Sequence, residues 1–362
     1  MTSSADSSAD VRLIPVDTET GVEPGGPCNA ARTCGDAPEV VDASDRSISL
    51  AVRLLRAGRL VALPTETVYG LAADASNPDA VARVFAAKGR PTDHPLIVHL
   101  SSAAGLESWA RRIPPQASRL AEAFWPGPLT MVLERHRSVL DAVTGGQDAV
   151  ALRVPAHPVA QRLLRAFGSG LAAPSANRFG RVSPTTATDV CAELGGAVDL
   201  VVDGGQCDVG VESTIVAFDG EDVAILRPGG VASEAIARVL GRPATTMASG
   251  RVRAPGMLQS HYAPTTTLEL CSGDEAAPRA AKLVSRGWQV GVLSLTRTEV
   301  PGAAVTWDAG GDLAVFARLL YGWLRQADAE ALDVLVVALP PDEGLGVAVR
   351  DRLCRAAHRP GS

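Results

Sequence analysis

The sequence predicts a mixed α/β or α+β protein followed by a second, smaller α/β layer. Three observations carry that expectation. From Ser44 to about residue 240, strand-like apolar runs and helix-like amphipathic runs interleave irregularly, which is not the pattern of a strict βαβ repeat. From residue 265 onward, strands and helices alternate in the manner of a parallel sheet. Between the two lies a stretch, residues 241–264, that is rich in Gly, Pro and Ser and has no sustained period. The expected divisions are therefore a disordered extension over 1–44, a larger domain over 45–240, a linker over 241–264 and a second domain over 265–362. The extension is rich in Ser, Asp, Gly and Pro, with one short apolar piece at "VRLIPV".

The elements follow in order. "SDRSISLAVRLLRAG" places apolar residues at helical spacing after a Ser/Asp cap, and Gly58 ends it. "RLVALPT" reads as a strand. "NPDAVARVFAAKG" reads as a helix capped by Asn77, with Pro78 at its first position. "PLIVHL", "LTMVLE", "ALRVP", "LAAPSA", "LVVDGG", "TIVAF" and "VAILRPG" are further strands. Helices are expected at Pro114–Phe124, Pro158–Phe167, Thr185–Leu194 and Ser233–Leu240. In the second layer, strands "TTTLEL", "QVGVLSL" and "LDVLVVAL" alternate with helices "AAPRAAKLVSRG", "LAVFARLLYGWLRQA" and "VAVRDRLCRAA".

Composition bounds the function. With 46% apolar and 20% charged residues, the chain of 362 residues is that of a cored globular protein, long enough for two domains. A net charge of −6 argues against wholesale coating of nucleic acid, while leaving room for a local basic cleft. No apolar run approaches the roughly 20 residues that span a bilayer, and the N-terminus lacks the pattern of a secretory signal, so a cytoplasmic protein is expected. The six cysteines are scattered without a CxxC pair, which predicts reduced thiols and no zinc site. There is no GxxxxGK[ST] loop, no strand–GxGxxG–helix unit, no GxSxG elbow and no HExxH pair. "GLGVAV" begins like a dinucleotide turn but lacks the third glycine and any following βαβ unit. Nucleotide, if bound, is held by some other geometry.

The chemistry concentrates in a few loops. Lys88 and Gly89 are also explained as the basic last turn and C′ glycine of a helix, but Arg90 is a second cation beyond it. Two cations spaced i and i+2 in extended chain form a fork suited to phosphate. His99 shares a strand face with Ile97, and taken alone reads as a core histidine. Thr65 and Thr67 follow a strand, where hydroxyls also serve as turn bonds. Ser175, Asn177, Ser183 and Thr185 occupy a loop after an apolar strand, a usual ligand-bearing position that is equally a helix-capping loop. Arg153 lies within an apolar strand, and burial there demands an anionic partner, either a carboxylate or a ligand.

Taken together, "LPTETVYGL", "AKGRPTDHPLIVHL", "WPGPLT", "ALRVP", "PSANRFGRVSPT", "ESTIV" and "LRPGG", in this order, resemble the motif series of the threonylcarbamoyl-AMP synthase family, whose fold is of YrdC type. "APGMLQSHYAP" and "GLGVAVRDRLCRAA" are similar to its longer, two-domain members. The resemblance spans residues 45–362. It implies a YrdC-like mixed twisted sheet with flanking helices and a concave cleft, plus a Rossmann-like second domain. It also implies a nucleotidyltransferase that joins L-threonine, bicarbonate (or carbon dioxide) and ATP, with Mg²⁺ carried by the ATP, and releases pyrophosphate. A separate transferase would then deliver the threonylcarbamoyl group to adenosine 37 of tRNAs that read codons starting with A. By position, the resemblance assigns Thr67, His99, Arg153, Ala173 and Ser213 to threonine. Arg90, His94, Ser175, Asn177, Ser183, Arg227 and Tyr262 are assigned to ATP, Lys88 and Arg90 to catalysis, and no residue to a protein-held metal. The linker, carrying His261 and Tyr262, would fold over the cleft as a lid. His94 departs from the asparagine usual in the family. An RNA-binding module using the same cleft is the alternative reading, against which the acidic composition and scarce aromatics weigh.

Overall fold

In the computed structural model, which describes residues 37–246, 255–256 and 262–358, the chain builds two sheets. The first part runs β1 (Glu39–Val41), α1 (Asp45–Arg56), β2 (Val61–Leu63), β3 (Gly70–Asp74), α2 (Pro78–Lys88), β4 (Ile97–His99), α3 (Leu106–Trp109) and β5 (Ala110–Arg112). It continues through α4 (Pro115–Phe124), β6 (Leu129–Arg135), α5 (Asp141–Thr144), β7 (Ala149–Arg153), α6 (Pro158–Phe167) and β8 (Leu171–Ala172). Then come α7 (Ala187–Leu194), β9 (Leu200–Val202), β10 (Thr214–Asp219), β11 (Asp222–Arg227), α8 (Ser233–Leu240) and β12 (Thr245–Thr246). The second part is β13 (Thr267–Cys271), α9 (Gly273–Val284), β14 (Val290–Ser294), β15 (Val305–Asp308), α10 (Leu313–Ala329), β16 (Val334–Ala338) and α11 (Leu345–Ala357).

The larger sheet is mixed, ordered β1-β9-β2-β3-β8-β4-β7-β6-β10-β11-β12, with β5 paired to β6. Helices cover both faces of its first half, which explains why strands such as β2 read as unbroken apolar runs. Leu60 and Ala62 face one core, with Val81 and Val84 of α2, while Val61 and Leu63 face another, with Leu55 of α1 and Leu163 of α6. The smaller sheet, β13-β16-β14-β15, is wholly parallel. The expected mixed α/β fold with a second, parallel α/β layer is what the chain forms.

Several local expectations need correction. Part of the stretch read as a disordered extension is ordered, since β1 pairs in parallel with β9; three residues with two exposed side chains leave no readable period. Strand β3 was hidden inside the motif that follows β2, and β15, "VTWD" with no buried residue, presents no apolar run. Helix α9 begins at Gly273, not Ala276, because Ser272 and Glu275 form a capping box. Helix α7 begins at Ala187, capped by Thr186 and Asp189 in the same way. "VRLIPV", His261 and most of the proposed lid lie outside the described residues. Among the described residues no helix is long and apolar enough to cross a membrane.

The two parts share a core. Val68, Val182, Val211 and Tyr262 pack with Phe316, Leu320, Tyr321 and Leu324 of α10. Gly210, at φ +75°, touches α10 so closely that a Cβ there would lie 2.4 Å from Arg318 Cα. Only glycine fits that crossing.

Candidate active site

Strands β4, β7, β6 and β10 lie side by side and carry a polar row along one face. In register, His99 stands beside Arg153, and Arg153 beside Thr130. Thr130 Oγ1 and Ser213 Oγ, just ahead of β10, are 2.7 Å apart. The next row on the same face is apolar: Ile97, Ala151, Val132 and Ala217. An alternation that looks like core packing in each strand thus assembles a polar row across β4, β7 and β6, which Ser213 extends from just ahead of β10.

That row borders a partly open cavity. Pro255 and Gly256 line it, as do Thr67, His99, Arg153, Ala173, Ser213, Arg90, Ser175, Arg227 and Tyr262. The last nine are all residues singled out from the sequence. Three buried arginines face one cavity, so the site is built for anions.

Arg153 is 4% exposed, and its Nη1 donates to Thr67 Oγ1 at 2.9 Å. Its Nη2 lies 2.7 Å from Glu66 Oε1, although neither atom has an aligned hydrogen bond. Close charge contact with donor capacity left over suits a guanidinium that receives a second carboxylate. His99 lies beside it. Burial, reinforced by the Arg153 charge, pulls its imidazole down to about 3, so it is neutral at pH 7. Its Nδ1–H donates to the Ile97 carbonyl at 3.3 Å, which leaves Nε2 as an acceptor.

Arg90 leaves α2 past Gly89, an αL cap at φ 60°. Its Nη2 donates to the Pro95 carbonyl at 2.9 Å, and its guanidinium lies 5.5 Å from the centre of the Phe179 ring. Burial draws it down to about 10, still fully cationic at neutral pH. Arg227 binds the Ser213 carbonyl at 2.8 Å and, through Nη1, the Pro255 carbonyl at 2.9 Å.

Four expected site residues are placed differently. Lys88 is buried and directs its ammonium at the carbonyls of Ser175 (2.5 Å) and Asn177 (2.6 Å), away from the cavity lining. It ties the 175–177 loop, and burial and the neighbouring Arg90 lower its pKa well below the usual range. Asn177 donates to the carbonyls of Arg178 and Arg181 and so ties the same loop. Ser183 donates to Glu212 Oε1 at 2.7 Å. His94 stands outside the lining, edge-on to Phe179 at 5.4 Å, with Asp93 at 4.0 Å.

Two glutamates went unnoticed in the sequence. Glu66 is the carboxylate partner that a buried Arg153 demanded, and it also accepts from Ala156 N–H at 3.0 Å. Glu212 lines the cavity from within "ESTIV" and accepts from Ser183, from Tyr321 of α10 and from Arg352 of α11. Both motifs were read for their hydroxyls.

The comparisons with known proteins match this architecture. A family model described as "Telomere recombination" matches residues 53–229, and one described as "Threonylcarbamoyl-AMP synthase, C-terminal domain" matches residues 231–358. The threonylcarbamoyl-AMP synthase of Pyrococcus abyssi is 40% identical over 86% of this chain and 94% of its own length. That of Bacillus subtilis is 39% identical over 89% of this chain and 96% of its own. The crystal structure of P. abyssi Sua5 complexed with L-threonine superposes with a TM-score of 0.82 at 38% identity, covering 88% of this chain and 97% of that one. With relatives so similar over nearly their whole length, the chain belongs to the threonylcarbamoyl-AMP synthase family.

Proposed function

We propose that this enzyme makes threonylcarbamoyl-AMP from L-threonine, bicarbonate or carbon dioxide, and ATP, and that the polar row is its amino-acid site. The observation that carries the reading is Arg153, a buried guanidinium with spare donors, set between a neutral histidine and paired hydroxyls. Arg153 pairs the threonine carboxylate. His99 Nε2 and the Ser213 hydroxyl are partners for the ammonium and hydroxyl groups, and the Ala173 backbone borders the same space. Arg90, Ser175 and Arg227 face the phosphates, and Tyr262 closes the cavity beside them.

No protein nucleophile is required. The carbamate formed on the threonine nitrogen attacks the α-phosphorus of ATP through oxygen, and the bond to the β-phosphate oxygen breaks, releasing pyrophosphate. The protein contributes alignment and positive charge where negative charge accumulates. Mg²⁺ enters as part of the substrate, bound by phosphate oxygens and water; Glu66 and Glu212 are engaged by Arg153 and Arg352. A separate transferase would carry the product to adenosine 37 of tRNAs reading codons that begin with A, in the cytosol. Choice of threonine over serine rests on one methyl, about 1–3 kcal/mol. The deciding measurement is pyrophosphate release from ATP that requires both L-threonine and bicarbonate. Release that ignores either omission overturns the reading.

A further inference from the structure

Glu212 stands in the cavity wall with a full negative charge, where an anionic substrate is expected. Burial opposes that charge, but Arg352, Arg227 and the bonds from Arg352 and Ser183 outweigh it and hold the carboxyl down at about 2. The decisive partners come from the other domain. Arg352, fully buried on α11, donates Nε–H to Glu212 Oε2 at 2.6 Å and Nη2–H to the Pro228 carbonyl at 3.0 Å. Tyr321 of α10 sets its hydroxyl 3.0 and 2.9 Å from the two carboxylate oxygens. Its ring stacks on Tyr262 at 5.6 Å, and the Arg352 guanidinium sits 5.2 Å from the Tyr262 ring centre.

Glu212 and Arg227 line one cavity, and each feels the other's charge. They are also held back to back: Gly230 N–H donates to the Glu212 carbonyl at 3.0 Å, and a Cβ on Gly229 would lie 2.3 Å from that oxygen. A buried carboxylate stripped of its main counter-ion turns to the next cation within reach.

We propose that Arg352 and Tyr321 are positioning residues contributed by the second domain: they hold Glu212 to themselves and so keep its charge from cancelling that of Arg227, the guanidinium that would meet the polyphosphate. The anion-binding site is therefore electrostatically complete only with the second domain docked. The inference rests on the proposed function for the identity of the anion.

Calorimetric titration of the full-length protein with Mg²⁺·ATP and, separately, with L-threonine tests it. Arg352→Met is expected to weaken ATP binding about tenfold or more, while threonine affinity stays within about threefold of wild type. Adding Glu212→Gln to Arg352→Met removes the stranded charge and is expected to restore ATP binding to within about threefold of wild type. A merely structural role would lose both ligands together and gain nothing from the second substitution. Unchanged ATP affinity in Arg352→Met, or no rescue by Glu212→Gln, overturns the proposal. If Arg352→Met does not fold, Tyr321→Phe decides, since it keeps the ring stack and removes only the hydroxyl. A weakening of ATP binding cured by Glu212→Gln supports the proposal, and no change overturns it. Inorganic tripolyphosphate is run in parallel: wild type that binds it but not ATP refutes the functional reading, and the same variants then judge Arg352 on tripolyphosphate.

Discussion

Arg153 shows how one residue joins stability to recognition. Replacing it with Met leaves Glu66 buried without its cation, a loss of roughly 3–5 kcal/mol in folding stability. The same change is expected to cost at least about 2 kcal/mol in threonine affinity. Denaturant unfolding and calorimetry read the two effects separately. His99 makes a prediction in pH. Its folded pKa of about 3 lies below the ordinary 6.5, so the unfolded chain binds the extra proton first. Its penalty is absent above pH 6.5 and grows as pH falls toward 3, reaching on the order of 4 kcal/mol. His99→Gln should flatten the stability profile across that window. Glu212 acts lower: its contribution is complete above the unfolded value of 4.5 and is lost as pH falls through about 2. Arg153 could be singled out from the residues themselves because a cation within an apolar strand is conspicuous, whereas His99 and Arg90 gained their roles only from the resemblance of the whole motif series. Glu66 and Glu212 were singled out by neither, since a glutamate between hydroxyls looks like any surface residue until its partners, far along the chain, are in place.

At the scale of elements, the long helices were legible because caps and period agree. Asn77 accepts from two backbone N–H groups at the start of α2, with Pro78 following, and Gly89 closes it in the left-handed region. The strands were legible as runs but not in register. Nothing in "PLIVHL", "ALRVP" or "LTMVLE" alone states that His99, Arg153 and Thr130 align, because that depends on sheet order between distant segments. Strand β1 shows the lower limit, its pairing being decided wholly by β9. Between elements, the turn after β11 is pressed onto the segment before β10, and Gly229 is what permits it. Gly229→Ala forces backbone against backbone and should destabilise the fold by about 1–3 kcal/mol or more. Thermal unfolding measures that loss, and turnover should fall with it because Ser213 and Arg227 sit on the two displaced pieces.

On the scale of the whole molecule, the two sheets meet through α10 and α11, whose apolar side chains share a core with Val68, Val182 and Val211 of the first part. The first part has its own buried core, so residues 37–246 expressed alone should fold cooperatively. That fragment would expose Val68, Val182 and Val211 and leave Glu212 without Arg352 and Tyr321. We expect increased binding of a hydrophobic dye and pyrophosphate release at least about tenfold below that of the full chain; full turnover in the fragment would contradict this. The division into two α/β units was visible in the change of alternation near residue 265, whereas their mutual dependence was not, because it lives in contacts more than 100 residues apart in sequence, such as Glu212 with Arg352.

The Pro255 carbonyl on Arg227 carries one more consequence. On the proposed reading, a phosphate that meets this guanidinium competes with a bond that the chain's own backbone already makes. Nucleotide and backbone then draw on the same donor group, and whatever the nucleotide gains there is offset by the bond it takes from the chain.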